Sequence, residues 1–135
     1  MFTDYEVIIE PFAERHYIKA FRKKYKAACD TTEQALRQEF RFFDVLFEKS
    51  IAETITSHNS GSVKICKTEF KISGSRESRH GSGNRCIIAV HREPCAVRVL
   101  LVYHKSDLGH LGSGNETARW KQIIKENYSA YREML

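Results

Sequence analysis

Two apolar, β-branched runs dominate residues 85–105, RCIIAVHREPCAVRVLLVYHK, and constrain the fold of this chain more than any other stretch. A short break at residues 93–96 separates the runs, which is the pattern of two adjacent antiparallel strands joined by a tight turn. The turn sets the register of the pairing that follows on either side of it. The predicted cross-strand pairs are Glu93 with Ala96, His91 with Arg98, and Arg85 with His104.

Side chains alternate between the two faces of a strand, so this pair has one apolar face and one mixed face. The apolar face, which we expect to be core, carries Cys86, Ile88, Val90, Val99, Leu101 and Tyr103. The mixed face carries Arg85, Ile87, Ala89, His91, Arg98, Leu100, Val102 and His104. Two arginines and two histidines on an apolar floor make the mixed face the candidate functional surface.

The other segments predict an α+β fold, and a chain of 135 residues is expected to form one domain, 1–135. Hydrophobic spacing and turn residues predict strands over 5–9 and 63–72, helices over 12–27, 31–54 and 116–132, and loops over 57–62, 73–84 and 104–115. We therefore expect a small, mainly antiparallel sheet with an N-terminal αα-hairpin and a C-terminal helix. In this arrangement the helices pack on one face and the basic face stays open.

The net charge of +5 is concentrated on the predicted sheet and its loops. Residues 62–105 hold nine Lys and Arg residues against three Asp and Glu residues, and the rest of the chain is close to neutral. A basic sheet is typical of a protein with a polyanionic partner, nucleic acid above all. The alternative is a protein whose basic charge serves no dedicated partner.

The sequence lacks the features of several other protein classes. No stretch is long and apolar enough to span a membrane, and MFTDYEVIIEP does not have the pattern of a signal peptide, so we expect a cytoplasmic location. The four cysteines form no C-x-x-C pair and have no histidine at metal-ligand spacing. The chain has no phosphate-binding glycine loop and no G-x-S-x-G. Because carboxylates are scarce over residues 62–105, a Mg²⁺-dependent nuclease is disfavoured, and we expect neither a metal nor a cofactor.

The cations and bases of the predicted sheet match the needs of metal-free RNA cleavage. A base must take the proton of a ribose 2′-hydroxyl, cations must stabilise the phosphate, and an acid must protonate the leaving 5′-oxygen. The residues that offer these groups are Lys67, Glu69, Lys71, Arg85, His91, Arg98, Tyr103, His104 and Lys105. In the alternative interpretation the histidines are structural, and the arginines pair with Glu69 or Glu93.

A glycine- and serine-rich loop over 73–84 adds further cations beside this face. A flexible basic loop next to a basic sheet often contributes to the binding of single-stranded nucleic acid. The alternative is a loop that only connects two strands. The predicted RNA-binding residues are Lys64, Lys71, Arg76, Arg79 and Lys105.

The opening segment YEVIIEPFAERHYIKAFRKKY and the last strand VRVLLVYHKSDL resemble the RelE/ParE superfamily of bacterial type II toxins. The first segment is similar to that family's first strand, which ends in a proline, and its first helix. The second is similar to the family's closing hydrophobic strand, which is followed by His or Lys and then by Asp. The resemblance covers roughly residues 3–108 and leaves residues 109–135 as a C-terminal extension with a helix.

The resemblance to RelE-like members implies the toxin of a toxin–antitoxin pair, an endoribonuclease that cuts mRNA in the ribosomal A site without a metal and so inhibits translation. The implied partners are a cognate antitoxin, the ribosome and mRNA. The implied roles are Arg85 as the phosphate-binding arginine, Arg98 as the arginine of the last strand, Tyr103 and His104 as the residues at its end, and Lys67 and Glu69 as candidate bases. Since the predicted face of Tyr103 is the core, we favour His104 as the acid or base.

Two alternatives stay open within the same superfamily. ParE-like members share the fold, bind DNA gyrase and are not nucleases, and a catalytically inactive relative would serve as a binding module. The abundance of basic residues on the sheet and the position of His104 favour the RNA-cleaving branch.

Overall fold

The computed structural model describes residues 3–58, 61–109 and 115–135, which build a five-stranded sheet with helices on both faces. The strands are β1 Glu6–Ile9, β2 Ala52–His58, β3 Val63–Phe70, β4 Asn84–Arg92 and β5 Cys95–His104. They lie in the order β1-β5-β4-β3-β2. Strand β1 runs parallel to β5 and the other three neighbouring pairs are antiparallel, so the sheet is mixed and the predicted α+β class is confirmed.

The helical segments precede β2 or follow β5. They are α1 Pro11–Ala13, a π-helical stretch Glu14–Ile18, α2 Lys19–Tyr25, α3 Ala27–Arg41, α4 Phe43–Glu48, α5 Lys105–Gly109, α6 Glu116–Asn127 and a 3₁₀ helix Ser129–Met134. In place of the αα-hairpin predicted from helices over 12–27 and 31–54, the helical segments 11–25 and 27–41 meet at Lys26, where φ is 53°. Arg22 Nη2 of α2 lies 3.5 Å from Glu33 Oε1 of α3 and links the two segments.

The predicted helix over 31–54 is interrupted at Phe42 and is wrong beyond Glu48. Helix α3 ends in a break at Phe42, which has φ −115° and ψ 51°, and α4 ends at Glu48. Ser50 then takes a positive φ of 57°, which a helix does not accommodate. The β-branched run 54–56 lies in β2, as the stiffness of such side chains favours.

Two hydrophobic cores flank the sheet, one on each face. On the first face, the helices before β2 contribute Ile18, Phe40, Phe43 and Leu46. On the second face, α6 and the 3₁₀ helix contribute Trp120, Ile124 and Tyr131. The expectation that all helices pack on one face and leave the other open is therefore wrong, because the C-terminal segment carries an apolar stripe of its own.

The turn between β4 and β5 lies one residue earlier than predicted. It contains only Glu93 and Pro94, joined by a cis peptide bond. The pairs next to it are His91 with Ala96 and Arg92 with Cys95. The predicted pairing of Glu93 with Ala96 is therefore displaced by two residues, which leaves each side chain near the turn on its predicted face.

A β-bulge at Leu100 reverses the faces at the end of β5. The flanking pairs are Ile87 with Leu101 and Ile88 with Val99. Leu100 and Leu101 both pack in the second core, and beyond them the alternation is inverted. Tyr103 consequently pairs with Arg85 on the second face, and His104 pairs with Asn84 on the first face. Both predicted placements are wrong for this reason.

The two predicted loops at 57–62 and 104–115 extend beyond the described residues. Residues 59–60 of the first and 110–114 of the second lie outside them, and the second loop begins as the short helix α5. Within the described ranges, no helix has the length and apolar character needed to cross a bilayer.

Candidate functional site

Five polar residues converge at one end of the second face, where three strands meet the start of α6. Glu69 pairs with Arg85 and Arg85 pairs with Tyr103, so these three residues lie side by side across β3, β4 and β5. Lys67 is the next residue of β3 on that face, and Glu116 is the first residue of α6. We call this group the tail-acid cluster: Lys67, Glu69, Arg85, Tyr103 and Glu116.

Arg85 is the central and most buried cation of the tail-acid cluster, with only 3% of the residue exposed. Its guanidinium donates to two backbone carbonyls, those of Asn84 at 3.1 Å and His80 at 3.3 Å. The nearest carboxylate oxygens, on Glu69 and Glu116, are each 3.9 Å away, beyond hydrogen-bond distance. Arg85 is thus a desolvated charge between two carboxylates, and it forms a close bidentate pair with neither of them.

Glu116 brings a carboxylate from the C-terminal segment into the cluster. The Tyr103 hydroxyl donates to Glu116 Oε2 at 2.7 Å, and Lys67 Nζ lies 3.6 Å from the same oxygen. Burial and the hydrogen bond to Glu116 raise the pKa of the Tyr103 phenol well above its ordinary value. Tyr103 therefore stays protonated and acts as a hydrogen-bond donor to an anion at this position.

Glu69 links the cluster to the loop that precedes β4. His80 Nδ1 lies 3.0 Å from both carboxylate oxygens of Glu69. The Glu69 side chain is 29% exposed and that of His80 is 81% exposed, so both are accessible to an external ligand. A carboxylate and an imidazole in contact beside Arg85 provide a base, an acid and a cation within one site.

Arg98 lies at the other end of the second face, in what we call the far-end cluster: Glu10, His91, Arg98 and Tyr131. Arg98 pairs with Ala89, four residues from Arg85 along β4, which corresponds to about 13 Å. Its guanidinium donates to Glu10 Oε1 at 2.8 Å, and this contact raises the Arg98 pKa. His91 Nε2 lies 2.8 Å from the Tyr131 hydroxyl.

His104 is separated from both clusters by the sheet itself. It lies on the first face, near Phe21 and Lys24 of α2, and its Nδ1 is 2.7 Å from Ser106 Oγ. A Cβ on Gly83 would come within 2.6 Å of His104 Nε2, so the ring lies flush against the backbone at that glycine. The prediction that His104 shares a face of the sheet with Arg98 is therefore wrong.

The predicted RNA-binding residues fall into two groups. Lys64 Nζ lies 5.1 Å above the Phe47 ring, and Arg79 pairs with Glu39 and donates to the Glu69 carbonyl at 3.0 Å. These two cations are engaged within the fold. The other three residues, Lys71, Arg76 and Lys105, are exposed to solvent.

Sequence reasoning did not include Glu116 or His80 among the site residues. Glu116 belongs to the extension and reaches the sheet only through tertiary packing, and His80 lies in a loop whose path has no periodic pattern. One physical indication was available for Glu116: an arginine at the start of a buried, apolar strand requires an anionic or carbonyl partner from elsewhere in the chain.

The described residues contain no group of three or more His, Cys, Asp or Glu side chains placed to hold a metal ion. The four cysteines are free thiols. Burial raises the pKa of Cys66 to about 11 and raises that of Cys86 as well, so both are protonated and unreactive near neutral pH.

No protein-family model and no curated protein matches the chain. Among solved structures, it is similar to a chain of the archaeal RelE–RelB complex from Pyrococcus horikoshii OT3, with 16% identity and a TM-score of 0.52. The match covers 75% of this chain and 94% of the other. This similarity shows that the chain has a RelE-like fold.

Proposed function

We propose that this protein is the toxin of a toxin–antitoxin pair and a metal-independent, ribosome-associated mRNA endonuclease. The observation that carries the proposal is the convergence of Lys67, Glu69 and Arg85 at one end of the sheet, with His80 in contact with Glu69. All the groups that RNA cleavage needs are present there without a metal. The RelE-like fold supports the same proposal.

The proposed reaction is transfer of the phosphate from the 5′-oxygen to the neighbouring 2′-oxygen. Glu69 takes the proton of the 2′-hydroxyl, whose oxygen forms a bond to phosphorus, and the bond from phosphorus to the 5′-oxygen breaks. Protonated His80 gives its proton to that leaving oxygen. Arg85 and Lys67 stabilise the added negative charge on the phosphate. The products are a 2′,3′-cyclic phosphate and a free 5′-hydroxyl.

The proposal narrows the set of catalytic residues that the resemblance implied. Arg98 and His104 lie away from the tail-acid cluster and are assigned no step at the phosphate. Tyr103 remains at the site as a hydrogen-bond donor. The exposed cations Lys71, Arg76 and Lys105 are proposed to contact RNA outside the reacting phosphate.

We further propose a cytoplasmic protein whose partners are a cognate antitoxin, the ribosome and mRNA. The solved structure with the similar fold is a RelE–RelB complex. The net charge of +5 suits both a ribosomal RNA surface and an acidic antitoxin segment.

Ribosomes stalled on a defined message test the proposal directly. The full chain is added in the presence of EDTA, and naked RNA and a gyrase supercoiling reaction are run in parallel. We expect cleavage at the A-site codon of the ribosome-bound message and no loss of supercoiling. Inhibition of supercoiling without cleavage would assign the protein to the ParE-like alternative. No effect in either reaction would leave a RelE-like fold that serves as a binding module.

A further inference from the structure

The tail-acid cluster already contains an anion that the chain itself supplies. Lys67 and Arg85 contribute two positive charges, and Glu69 and Glu116 contribute two negative charges, so the four charges cancel. A phosphodiester carries one negative charge. Departure of one of the two carboxylates adds one positive charge to the site, which is the charge that a phosphodiester neutralises.

Glu116 is the carboxylate whose contacts resemble those of a bound phosphate. Its Oε2 accepts a hydrogen bond from the Tyr103 hydroxyl at 2.7 Å and lies 3.6 Å from Lys67 Nζ and 3.9 Å from Arg85 Nε. Only the contact with Tyr103 is within hydrogen-bond distance. A phosphate oxygen that approached both cations closely would form charge-assisted hydrogen bonds that Glu116 does not form.

The attachment of α6 lets the Glu116 side chain leave while the helix stays in place. Trp120 and Ile124, one and two turns further along α6, are both 0% exposed and hold it against the second face. Glu116 is the first helical residue, and its side chain is 23% exposed. Rotation into solvent therefore breaks its contacts with Tyr103 and Lys67 without breaking the core contacts of the helix.

We propose that the Glu116 carboxylate is a built-in competitor of RNA, occupying the anion site formed by Lys67, Arg85 and Tyr103 until a phosphodiester displaces it. This inference rests on the proposed function, because it assigns the same site to an RNA phosphate. The apparent affinity of the site for a phosphodiester is lowered by the fraction of molecules in which Glu116 occupies it.

The experiment measures binding of a 2′-O-methyl pentanucleotide, which cannot be cleaved, to the full chain by titration calorimetry. We expect E116Q to bind about tenfold more tightly than the unmodified protein, as if Glu116 occupies the site about 90% of the time. The matched control is E126Q, which removes the same charge from the same helix. Glu126 is exposed and accepts a hydrogen bond from Gln122, at 2.8 Å, so E126Q is expected to leave the affinity unchanged.

Two further measurements keep the test decisive if E116Q folds poorly. Trp120 is the only tryptophan of the chain, so its fluorescence reports whether α6 remains packed on the sheet in each variant. E116D keeps the charge but withdraws the carboxylate by one methylene, and we expect it to bind more tightly than the unmodified protein, by a smaller factor than E116Q. Equal or weaker binding by folded E116Q and E116D would overturn the proposal, and so would equal tightening by E126Q.

Failure of this inference and failure of the proposed function give different results. Tighter binding by E116Q together with an absence of cleavage in every variant would uphold the competitor and refute the nuclease. Cleavage of ribosome-bound mRNA with no gain in affinity in E116Q would uphold the nuclease and refute the competitor. Inorganic phosphate, titrated in parallel, distinguishes a site for phosphate oxygens from one that also needs the nucleotide chain.

Discussion

The two ends of the second sheet face place similar residues in different physical states. At the tail-acid cluster Arg85 is buried, and its two carboxylate neighbours are 3.9 Å away. At the far-end cluster the side chain of Arg98 is 38% exposed and donates to Glu10 at 2.8 Å. Arg98 therefore already has a close anionic partner, Glu10, near solvent. Arg85 is instead a desolvated cation that an anion at closer range would stabilise further.

This difference indicates where a ligand gains binding energy. A phosphate that approaches Arg98 must first break a hydrogen bond to Glu10, and the gain from an exposed pair is small. A phosphate that replaces Glu116, as proposed above, breaks no hydrogen bond between Arg85 and a carboxylate, because Glu116 Oε2 is 3.9 Å from a guanidinium that is shielded from water. Two arginines on one face thus differ in what they offer a phosphate ligand, and the difference lies in their environments because the residue type is the same.

Arg85→Ala is the substitution that tests the comparison most strongly. We expect cleavage of ribosome-bound mRNA to fall about 10³-fold, because the main cation at the phosphate is lost. We also expect the free energy of unfolding to fall by about 3–5 kcal/mol, because Glu69 and Glu116 lose the buried cation that lies between them. Cleavage assays and urea unfolding measure the two effects.

Arg85→Lys provides the control for that experiment. It keeps the positive charge and loses the planar fork, so we expect it to recover much of the stability and little of the cleavage. Unchanged cleavage in folded Arg85→Ala protein would remove the tail-acid cluster from the mechanism.

Glu69→Gln tests the base at the same end of the face. The amide keeps the shape of the side chain but does not accept a proton, so we expect cleavage to fall about 10²-fold. Binding of the 2′-O-methyl pentanucleotide is expected to persist, since Arg85 and Lys67 remain. Loss of binding and cleavage to the same degree would show that Glu69 is structural.

Local pattern was sufficient to predict most of the strands. The apolar, β-branched runs of β4 and β5 and the turn between them followed from residues 85–105 alone. Strand β2 was missed because it follows closely on an aromatic stripe at helical spacing, and the breaks at Phe42 and Ser50 separate the two. Those breaks are backbone conformations that residue type does not specify.

The composition of the site was more predictable than its assembly. Lys67, Glu69, Arg85 and Tyr103 were all among the candidates, and the structure brings these four together. Because of the bulge at Leu100, Tyr103 lies on the same face as the other three residues and His104 does not. The alternation of apolar and polar residues along a strand does not reveal where one extra residue is inserted. Glu116 was missed because its contact with the sheet depends on how the C-terminal segment packs.

At the far-end cluster, His91 predicts a pH dependence of stability. Burial, and next the charge of Arg98, lower the pKa of His91 below its ordinary value of 6.5, while Glu10 acts in the opposite direction. The folded state therefore binds a proton less readily than the unfolded state, so this contribution is complete above pH 6.5 and is lost as the pH falls through the folded-state pKa. Urea unfolding between pH 5 and 8 should show a loss on the acid side that is smaller in His91→Gln. An identical acid-side loss in that variant would show that His91 does not titrate as described.

The smallest expected effect belongs to Arg98→Ala, which removes the exposed ion pair of the far-end cluster. The pair with Glu10 contributes less than about 1 kcal/mol, so we expect the free energy of unfolding to change by no more than that and cleavage to stay within about fivefold. Arg98→Lys is the control, because it keeps a charge beside Glu10 and should match the unmodified protein in both assays. A loss of cleavage as large as that of Arg85→Ala, in protein of unchanged stability, would make the two ends of the face equivalent in function. The RNA would then have to span about 13 Å along β4 from one arginine to the other, and the burial of Arg85 would no longer explain its role.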